Sequence, residues 1–483
     1  MPRAKARSRM VMDRRKNTGE AILFLMSRRV AFLCLLAFGG CARPEPAGLD
    51  LILVSIDTLR ADRLGIYGAE RAPEGRAEQP WTLPWLAERG VVWDSCWAPA
   101  GKTVPSIGSV LTGLSPLEHG ATTHLFQLGA SSLVEGLRER GFRTFGRVAN
   151  RLLGPQIGFD RGFEDYAIRP REFEPLVSKE LLELTAPVIQ EGGRLFAWAH
   201  FMSPHQPYEP PVPYQKWSDP KHPIRANNTL LNEIHRNPSE LTPGLRKDIR
   251  ALYDGEVAYA TDMLRVFLEQ LDSQYRAADR GGLLENAVVV FFSDHGEELG
   301  DRNGYFLHAK SLYAGVTRVP LMILGPTWKP GERRAEPFAL QNLMASVMQV
   351  VEPNWLEPPA STPSTVGTWM RDFYVLRDSR WTLVHAPCEG RGWGPKEPPQ
   401  ASYPYPEIAL FDRSVDPLEV NDLSRSNPEQ LQAMLQALNA WFDSQEIRVP
   451  VPVGGMDPSL LEELGYAEEA ESSGCRPRSL NGR

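Results

Sequence analysis

Residues 51–62 read Leu51-Ile52-Leu53-Val54-Ser55-Ile56-Asp57-Thr58-Leu59-Arg60-Ala61-Asp62. The nearly continuous apolar run over 51–56 is typical of a strand that is covered on both faces. It stops at Asp57, and a carboxylate at the end of a buried strand is costly unless a cation or hydrogen-bond donors meet it. Asp57 is therefore a candidate metal ligand, and the alternative is an N-cap for the segment that follows.

Similar apolar runs recur along the chain and alternate with helical patterns. We predict buried strands over 51–56, 144–148, 195–200, 287–293 and 319–324, and helices over 131–140, 176–190 and 245–271. This alternation predicts an α/β fold with a large mixed, mostly parallel sheet flanked by helices. Polar side chains lie where three of the strands stop, at Asp57, His200 and Asp294. Binding sites in such sheets lie outside the carboxyl ends of the strands, so these residues predict where a site forms.

A proline-rich connector at 357–360 separates this pattern from a smaller one. Short strands over 373–377, 381–385 and 407–411 and a helix over 428–442 predict a small C-terminal subdomain with an antiparallel sheet and one helix. The sequence therefore predicts a large domain at 49–365, a C-terminal subdomain at 366–466 and a loose polar tail at 467–483.

The first 40 residues have the layout of an export signal. Nine Lys or Arg lie within 1–29, an apolar run covers 30–38, and Gly39-Gly40-Cys41 follows. This order is typical of a secretory signal, and the run is short for a bilayer span. It resembles a bacterial lipoprotein signal in which Cys41 is lipidated, with Met26 suited to be the true start and a plain signal peptide as the alternative. We expect an exported protein in the periplasm or outer envelope, held at the membrane only by Cys41, with 41–48 as a tether.

The net charge of the chain hides two different segments. The whole chain carries −7, but nine basic and two acidic residues within 1–40 give that segment +7, so the remainder carries −14. An acidic chain lacks the electrostatic footprint of a nucleic-acid-binding protein. It also repels highly sulfated polymers at long range.

A threonine motif carries the second piece of candidate chemistry. In Gly101-Lys102-Thr103-Val104-Pro105-Ser106, the proline suits the first turn of a helix. Thr103 would then lie at the positive end of the helix dipole, where an alkoxide or oxyanion is stabilised, and an ordinary N-cap is the alternative. A phosphate-binding P-loop is excluded because Cys96 stands where its first glycine belongs.

Two further motifs contain histidines. The segment 200–208 places His200 and His205, two of the nine histidines, five residues apart. Ser293-Asp294-His295-Gly296 ends a predicted strand, and His308-Ala309-Lys310 lies downstream. A carboxylate and an imidazole at a strand end, joined by Asp57, make an oxygen and nitrogen site for a cation.

In this order the motifs resemble those of the sulfatase family in the alkaline phosphatase superfamily. The resemblance runs from about 51 to 465 and includes the opening strand, the Thr-x-Pro-Ser helix start, Leu111-Thr112-Gly113, His119-Gly120, Gly158-Phe159-Asp160-Arg161-Gly162-Phe163, Pro204-His205, Ser293-Asp294-His295-Gly296, Leu410-Phe411-Asp412 and Asn421-Asp422-Leu423. It implies the fold of that superfamily and the hydrolysis of sulfate or phosphate esters.

The resemblance also implies a role for each motif residue. One divalent cation (Ca, Mg, Mn or Zn) would be bound by Asp57, Thr103, Asp294 and His295. Thr103 would be the nucleophile. The remaining catalytic candidates would contact the substrate oxyanion or leaving group or lie near it, and they are His205, His308, His200 and Lys310.

Three departures from the family pattern change the expected chemistry. Sulfatases place a Cys or Ser, matured to formylglycine, where this chain has Thr103, and their motif arginine is Ile107 here. The second aspartate of the opening pair is Thr58. The lysine and histidine pair that helps to hold sulfate is missing, and Ala149-Asn150-Arg151 occupies that region. We therefore expect an enzyme that does not depend on formylglycine.

These inferences predict an exported, metal-dependent hydrolase of a sulfate or phosphate ester with Thr103 as a metal-activated nucleophile. The acidic charge favours a small or singly charged ester. Threonine nucleophiles also occur in this superfamily among phosphodiesterases and transferases of phospho-headgroups, which are one alternative. The other is a non-catalytic protein that keeps the fold and the cation.

Overall fold

The computed structural model describes residues 48–454, except 220–222, 302–305, 309–310, 354, 356–364, 370–372 and 387–407. The predicted signal sequence, the tether up to residue 47 and the tail lie outside the described residues, as do Cys41 and Lys310. The predicted domain boundaries stay predictions. Among the described helices, none has the length and apolar character needed to cross a bilayer.

The described strands are β1 (Asp50–Ile56), β2 (Val91–Trp93), β3 (Cys96–Trp97), β4 (Arg143–Val148), β5 (Asp165–Ile168), β6 (Leu195–Phe201), β7 (Ala287–Ser293), β8 (Glu298–Leu299), β9 (Phe306–Leu307), β10 (Arg318–Val319), β11 (Leu321–Leu324), β12 (Glu332–Arg334), β13 (Phe338–Ala339), β14 (Thr365–Trp369), β15 (Phe373–Arg377), β16 (Trp381–His385) and β17 (Ile408–Asp412). The described α-helices are α1 (Leu83–Ala87), α2 (Thr103–Thr112), α3 (Pro116–His119), α4 (Leu133–Glu139), α5 (Pro175–Glu191), α6 (Asn228–Arg236), α7 (Pro243–Ala277), α8 (Leu283–Asn286), α9 (Ala314–Thr317), α10 (Leu343–Val351) and α11 (Pro428–Ser444).

The central sheet confirms the predicted mixed, mostly parallel architecture. Its eight strands follow the order β12-β2-β11-β7-β1-β6-β4-β5. Strands β5, β4, β6, β1 and β7 run parallel, whereas β11 runs antiparallel to both β7 and β2. Every residue of β1, β6 and β7 is buried, as their apolar runs require. The carboxyl ends of these three neighbouring strands therefore meet at one edge of the sheet.

The longest predicted helix extends at both ends. Helix α7 covers Pro243–Ala277 instead of 245–271. Its start is set by Thr242, whose side chain accepts a hydrogen bond from the Leu245 amide at 3.1 Å, and by Pro243 in the first turn. This helix packs against α5, which in turn packs against β4 and β6, so the two helices cover part of the sheet.

The predicted strand at 319–324 is wrong as a single element. The structure divides it into β10, which pairs with β3, and β11, which pairs with β7 and β2 in the central sheet. Pro320 lies at the division, and a proline has no backbone N–H to donate to a central ladder. Its carbonyl still accepts a hydrogen bond from the Ser293 amide at 3.3 Å, which ties the division to the end of β7.

A small antiparallel sheet at the C-terminal end confirms the second part of the fold prediction. Its strand order is β14-β15-β16-β17, and sequence patterns missed β14. Helix α11 buries four residues at helical spacing, which pack with the apolar side chains of this sheet and are Leu431, Met434, Leu435 and Leu438.

Candidate active site

The carboxyl ends of β1 and β7 bring three predicted metal ligands together. Asp57 follows β1, while Asp294 and His295 follow the neighbouring β7. One ligand atom from each of the three lies within 4.8 Å of the others, and all three side chains are fully buried. Asp57 does not cap a helix, because the next helical turn starts at Ala61 and no side chain caps it. The metal-ligand interpretation is therefore the one that the geometry supports.

The donor atoms of this cluster fit a divalent cation. Oδ1 of Asp57 and Oδ2 of Asp294 are buried and accept no hydrogen bond from any described residue. Nδ1 of His295 lies 2.9 Å from the carbonyl oxygen of Gly296, which can only accept, so Nδ1 carries the proton. The lone pair of His295 is then on Nε2, which faces Asp57 and Asp294 at 3.8 and 3.4 Å. Carboxylate oxygens and a neutral imidazole nitrogen suit Ca²⁺, Mg²⁺, Mn²⁺ or Zn²⁺.

The two carboxyl groups are held in different protonation states. Burial and the adjacent charge of Asp57 raise the pKa of Asp294 well above its ordinary value. Burial also opposes ionisation of Asp57, but the hydrogen bond from His200 and the electrostatic interaction with the imidazoles of His205 and His295 outweigh it and leave the pKa of Asp57 below its ordinary range. Two buried carboxyl groups this close do not both ionise without a positive charge between them. The pair of carboxyl groups therefore fits a divalent cation bound between them.

Thr103 lies where the threonine motif predicts. It is the first residue of α2, whose N-cap is Lys102, so the threonine side chain is not itself the cap. Its Oγ1 lies 3.4 Å from Oδ2 of Asp57 and 3.3 Å from Nε2 of His295. Ser106 of the same helix donates a 2.6 Å hydrogen bond to the carbonyl of Asp294, which fixes the helix start against the metal ligands. The hydroxyl therefore faces the cation site from the positive end of a helix dipole.

Asn150 is a site residue that motif matching missed. The amide of Ala149 donates to the carbonyl of His200 at 2.9 Å, which continues the pairing of β4 with β6 and carries Asn150 to the site. Its Nδ2 donates to Oδ2 of Asp57 at 2.8 Å and to Oγ1 of Thr103 at 3.2 Å. Its Oδ1 accepts from the Leu152 amide at 2.9 Å, which orients the side chain. Its place just after a buried strand is the signal that could have identified it.

The structure brings His205 and His308 to the same site. Their ring centroids are 5.0 Å apart, and the ring of His308 lies 4.4 Å from that of His295. Nδ1 of His205 donates to the Gln206 carbonyl at 2.8 Å, so its Nε2 carries the lone pair. Burial lowers the pKa of His205 to about 4. His205 and His308, the two expected substrate contacts, thus lie next to the candidate metal ligands, and burial keeps both imidazoles largely neutral.

A buried carboxylate orients His308. Nδ1 of His308 lies 2.8 Å from Oε1 of Glu297, which is itself fully buried. Burial raises the pKa of Glu297 to about 7, although the electrostatic interaction with the imidazoles of His205 and His295 opposes this shift. The loop that carries His205 is fixed separately, because Glu174 accepts hydrogen bonds from the amides of Met202 and Ser203 at its start.

The remaining predicted residues divide into three cases. Nε2 of His200 lies 3.3 Å from Oδ2 of Asp57, on the side where Asn150 also donates. Ile107, at the arginine position of the family motif, is fully buried in the apolar core. Lys310 lies outside the described residues, so its role stays a prediction.

Comparisons with known proteins agree with this geometry. The family model described as Sulfatase matches residues 50–352. Arylsulfatase K of Xenopus laevis is 25% identical over 50% of this chain, and the match spans only 47% of that protein. An arylsulfatase of Clostridium perfringens is 24% identical over 69% of this chain and 79% of its own length.

Solved structures show the same fold. The phosphonate monoester hydrolase of Silicibacter pomeroyi superposes with a TM-score of 0.60 at 18% identity, covering 83% of this chain and 96% of that one. A structure in complex with its substrate, D-glucosamine-2-N,6-O-disulfate, superposes with a TM-score of 0.61 at 13% identity, covering 83% of this chain and 99% of the other. Because the family model covers more than half of the chain and its strand-end motifs form the observed site, this chain belongs to the sulfatase family.

Proposed function

We propose that the chain is an exported, metal-dependent hydrolase of sulfate or phosphate esters that uses Thr103 as its nucleophile and does not depend on formylglycine. The observation that supports this most is the position of Oγ1 of Thr103, 3.3 to 3.4 Å from His295 and Asp57 at the N-terminus of α2.

Asp57, Asp294 and His295 would hold the cation. A divalent cation at this position lowers the pKa of a hydroxyl in contact with it and offsets negative charge that develops during attack on sulfur or phosphorus. Asn150 also holds the hydroxyl, since its Nδ2 donates to Oγ1 at 3.2 Å. That donor stays available to stabilise an alkoxide on Thr103.

The reaction would proceed by covalent catalysis. Oγ1 of Thr103 gives its proton to Nε2 of His205, which carries a lone pair, and bonds to the sulfur or phosphorus atom while the bond from that atom to the ester oxygen breaks. The protonated His205 then returns that proton to the departing alkoxide, and His308, whose ring lies 5.0 Å from that of His205, would contact the ester oxygens. Water then cleaves the threonine ester, releasing sulfate or phosphate and restoring the hydroxyl.

A phosphodiester is an alternative candidate substrate, beside the sulfate and phosphate esters named above. The fold is shared with the phosphonate monoester hydrolase of Silicibacter pomeroyi, whose name records a phosphorus ester as its substrate. A threonine ester also lacks the escape route that the hydrate of formylglycine provides, so a sulfated threonine would have to be hydrolysed directly. Phosphorus esters are therefore the first substrates to test.

The test is a cation screen on metal-depleted protein. Ca²⁺, Mg²⁺, Mn²⁺ and Zn²⁺ are each added with 4-nitrophenyl sulfate, 4-nitrophenyl phosphate or bis(4-nitrophenyl) phosphate. We expect cation-dependent release of nitrophenol, lost in Asp294→Asn and retained in Asp165→Asn, whose carboxylate is 48% exposed on β5. Glycerol in the assay detects transfer to an alcohol. Cation binding without turnover of any ester would contradict the proposal and favour the non-catalytic alternative.

Export and anchoring form a separate part of the proposal. It rests on the basic region, the apolar run and Cys41 in the first 41 residues. Fractionation of bacteria that express the full chain or its Cys41→Ser variant tests it. We expect the full chain in the membrane fraction and the variant in the periplasm or medium, whereas cytoplasmic recovery of both would contradict it.

A further inference from the structure

We propose that Trp198, Ser55 and His200 form a buried hydrogen-bond relay that positions Asp57 for the cation, with His200 as a positioning residue. This inference rests on the proposed function for the identity of the cation site, but its test does not require turnover. It gives His200 a role through Asp57 instead of the catalytic role near the substrate that the family resemblance implies.

The relay follows from the register of two neighbouring strands. Side chains of a strand alternate between its faces, so Ser55 and Asp57 point to one side of β1, and Trp198 and His200 point to one side of β6. The two strands are parallel, with Ser55 opposite His200. The pairing therefore places all four side chains on adjacent positions of one face at the edge that carries the metal ligands.

The distances connect these side chains in series. Nε1 of Trp198 donates to Oγ of Ser55 at 2.9 Å, and Oγ of Ser55 lies 2.8 Å from Nδ1 of His200. Nε2 of His200 then lies 3.3 Å from Oδ2 of Asp57. The four residues are fully buried, so water does not compete for these bonds.

The direction of each hydrogen bond is determined by chemistry. An indole N–H can only donate, so Ser55 accepts from Trp198. Among the described residues, Oγ of Ser55 makes hydrogen bonds only with Trp198 and His200, so its own proton goes to Nδ1 of His200. Because Nδ1 accepts, the N–H of the imidazole is on Nε2, from which it donates to the carboxylate of Asp57.

The two carboxylate oxygens of Asp57 therefore have different roles. Oδ2 accepts from His200 and from Asn150, at 3.3 and 2.8 Å. Oδ1 accepts no hydrogen bond from a described residue and remains available as the ligand atom. Partners of this kind fix the orientation of a metal ligand, and their removal typically weakens metal affinity by about 10- to 100-fold.

Two measurements test the relay. The first is the Kd of Mn²⁺, measured by isothermal titration calorimetry on metal-depleted full-length protein. We expect Ser55→Ala to raise this Kd by about tenfold or more, and Ser55→Thr, which keeps a hydroxyl, to stay within about twofold of the wild type. Val54→Ala is the matched control, because it opens a cavity at the neighbouring buried position of β1 on the opposite face. It should lower stability without changing the Kd.

The second measurement reads the tautomer of His200 directly from long-range ¹H–¹⁵N spectra of protein labelled at histidine. We expect a protonated Nε2 in the wild type and a mixture of tautomers in Trp198→Phe and Ser55→Ala. A wild-type proton on Nδ1, an unchanged Kd in a folded Ser55→Ala protein, or no Mn²⁺ binding by the wild type would each overturn the inference. Weakened binding in Ser55→Ala without any ester turnover in the wild type would overturn the proposed hydrolase and leave the relay standing.

Discussion

Nδ2 of Asn150 lies 2.8 Å from Oδ2 of Asp57 and 3.2 Å from Oγ1 of Thr103, so one side chain contacts both a proposed metal ligand and the proposed nucleophile. It occupies the region where family members carry a lysine and histidine pair. The amide has no net charge. Loss of Asn150 should therefore disturb the proposed metal ligand and the proposed nucleophile together.

Asn150→Ala should lower kcat of the wild-type reaction by about 10- to 100-fold, because hydrogen bonds to charged groups contribute about 1.5–3 kcal/mol. The check is steady-state kinetics with whichever nitrophenyl ester the wild type hydrolyses. Arg151→Ala is the control, since that side chain is 41% exposed and pairs with Glu172 at 3.0 Å. An Asn150→Ala enzyme with wild-type kcat would show that Asn150 has no role in the reaction.

Cation binding should reverse the stability order of the wild type and Asp294→Asn. Without metal, the variant should be at least as stable, because burial and the charge of Asp57 disfavour an ionised Asp294. With a cation at about 100 times its Kd, the wild type should gain about 2.7 kcal/mol that the variant lacks. Thermal unfolding with and without chelator measures both differences. Equal cation-induced shifts in the two proteins would show that Asp294 is not a ligand.

Stability should fall in mild acid because of His119. Its ring is fully buried, and burial lowers its pKa to about 4 from the ordinary 6.5. The unfolded chain therefore binds the extra proton first, so the stabilisation is complete above pH 6.5 and is lost as the pH falls from 6.5 to 4. Between pH 7.5 and pH 5 the free energy of unfolding should drop by about 2 kcal/mol from this group.

Urea unfolding at the two pH values measures that drop. His119→Asn should be less stable than the wild type at pH 7.5, because the ring nitrogens accept from the Ala121 amide and donate to the Pro105 carbonyl. Between pH 7.5 and pH 5, the free energy of unfolding of His119→Asn should drop by about 2 kcal/mol less than that of the wild type. An identical pH dependence in the variant would assign the acid sensitivity to other groups.

Glu419→Ala should destabilise the protein by about 3–5 kcal/mol, the usual cost of removing one partner of a buried ion pair and leaving the other charge unpaired. Glu419 is fully buried, and its Oε1 lies 3.1 Å from Nε of Arg377 on β15. Its other oxygen accepts from the Ala314 amide at 2.9 Å, which connects the small sheet to the start of α9. Urea unfolding measures the loss, with the 56% exposed Leu418→Ala as control. A change below about 1 kcal/mol would contradict the structural role.

The strands that carry the site could be predicted because their patterns are local. Strand β7 has the predicted bounds, and β1 and β6 each extend one residue beyond theirs. The ends of these strands predict that Asp57, His200 and Asp294 lie at one edge of the sheet. The short strands β2, β12 and β14 could not be predicted, because three to five residues carry too little periodicity and pairing with other strands determines them.

The pairwise contacts of the site were the part that sequence could not provide. Asn150 sits in an unremarkable Ala-Asn-Arg segment, and its bond to Asp57 joins residues 93 positions apart. The contact of Ser55 with His200 depends on the register of β1 against β6, which a continuous apolar run does not specify. Residue types indicated a cation site, whereas the direction of each hydrogen bond required coordinates.

The most direct test of the account is kcat/KM for Thr103→Ala, measured with the ester and cation that give the wild type its highest activity. Thr112→Ala is the matched control, because this threonine ends the same helix and its hydroxyl donates only to the Gly108 carbonyl, at 2.7 Å. We predict a loss of at least about a thousandfold for Thr103→Ala and less than about threefold for Thr112→Ala. A folded, cation-binding Thr103→Ala protein that keeps kcat/KM within about tenfold of the wild type would contradict the assignment of Thr103 as the nucleophile.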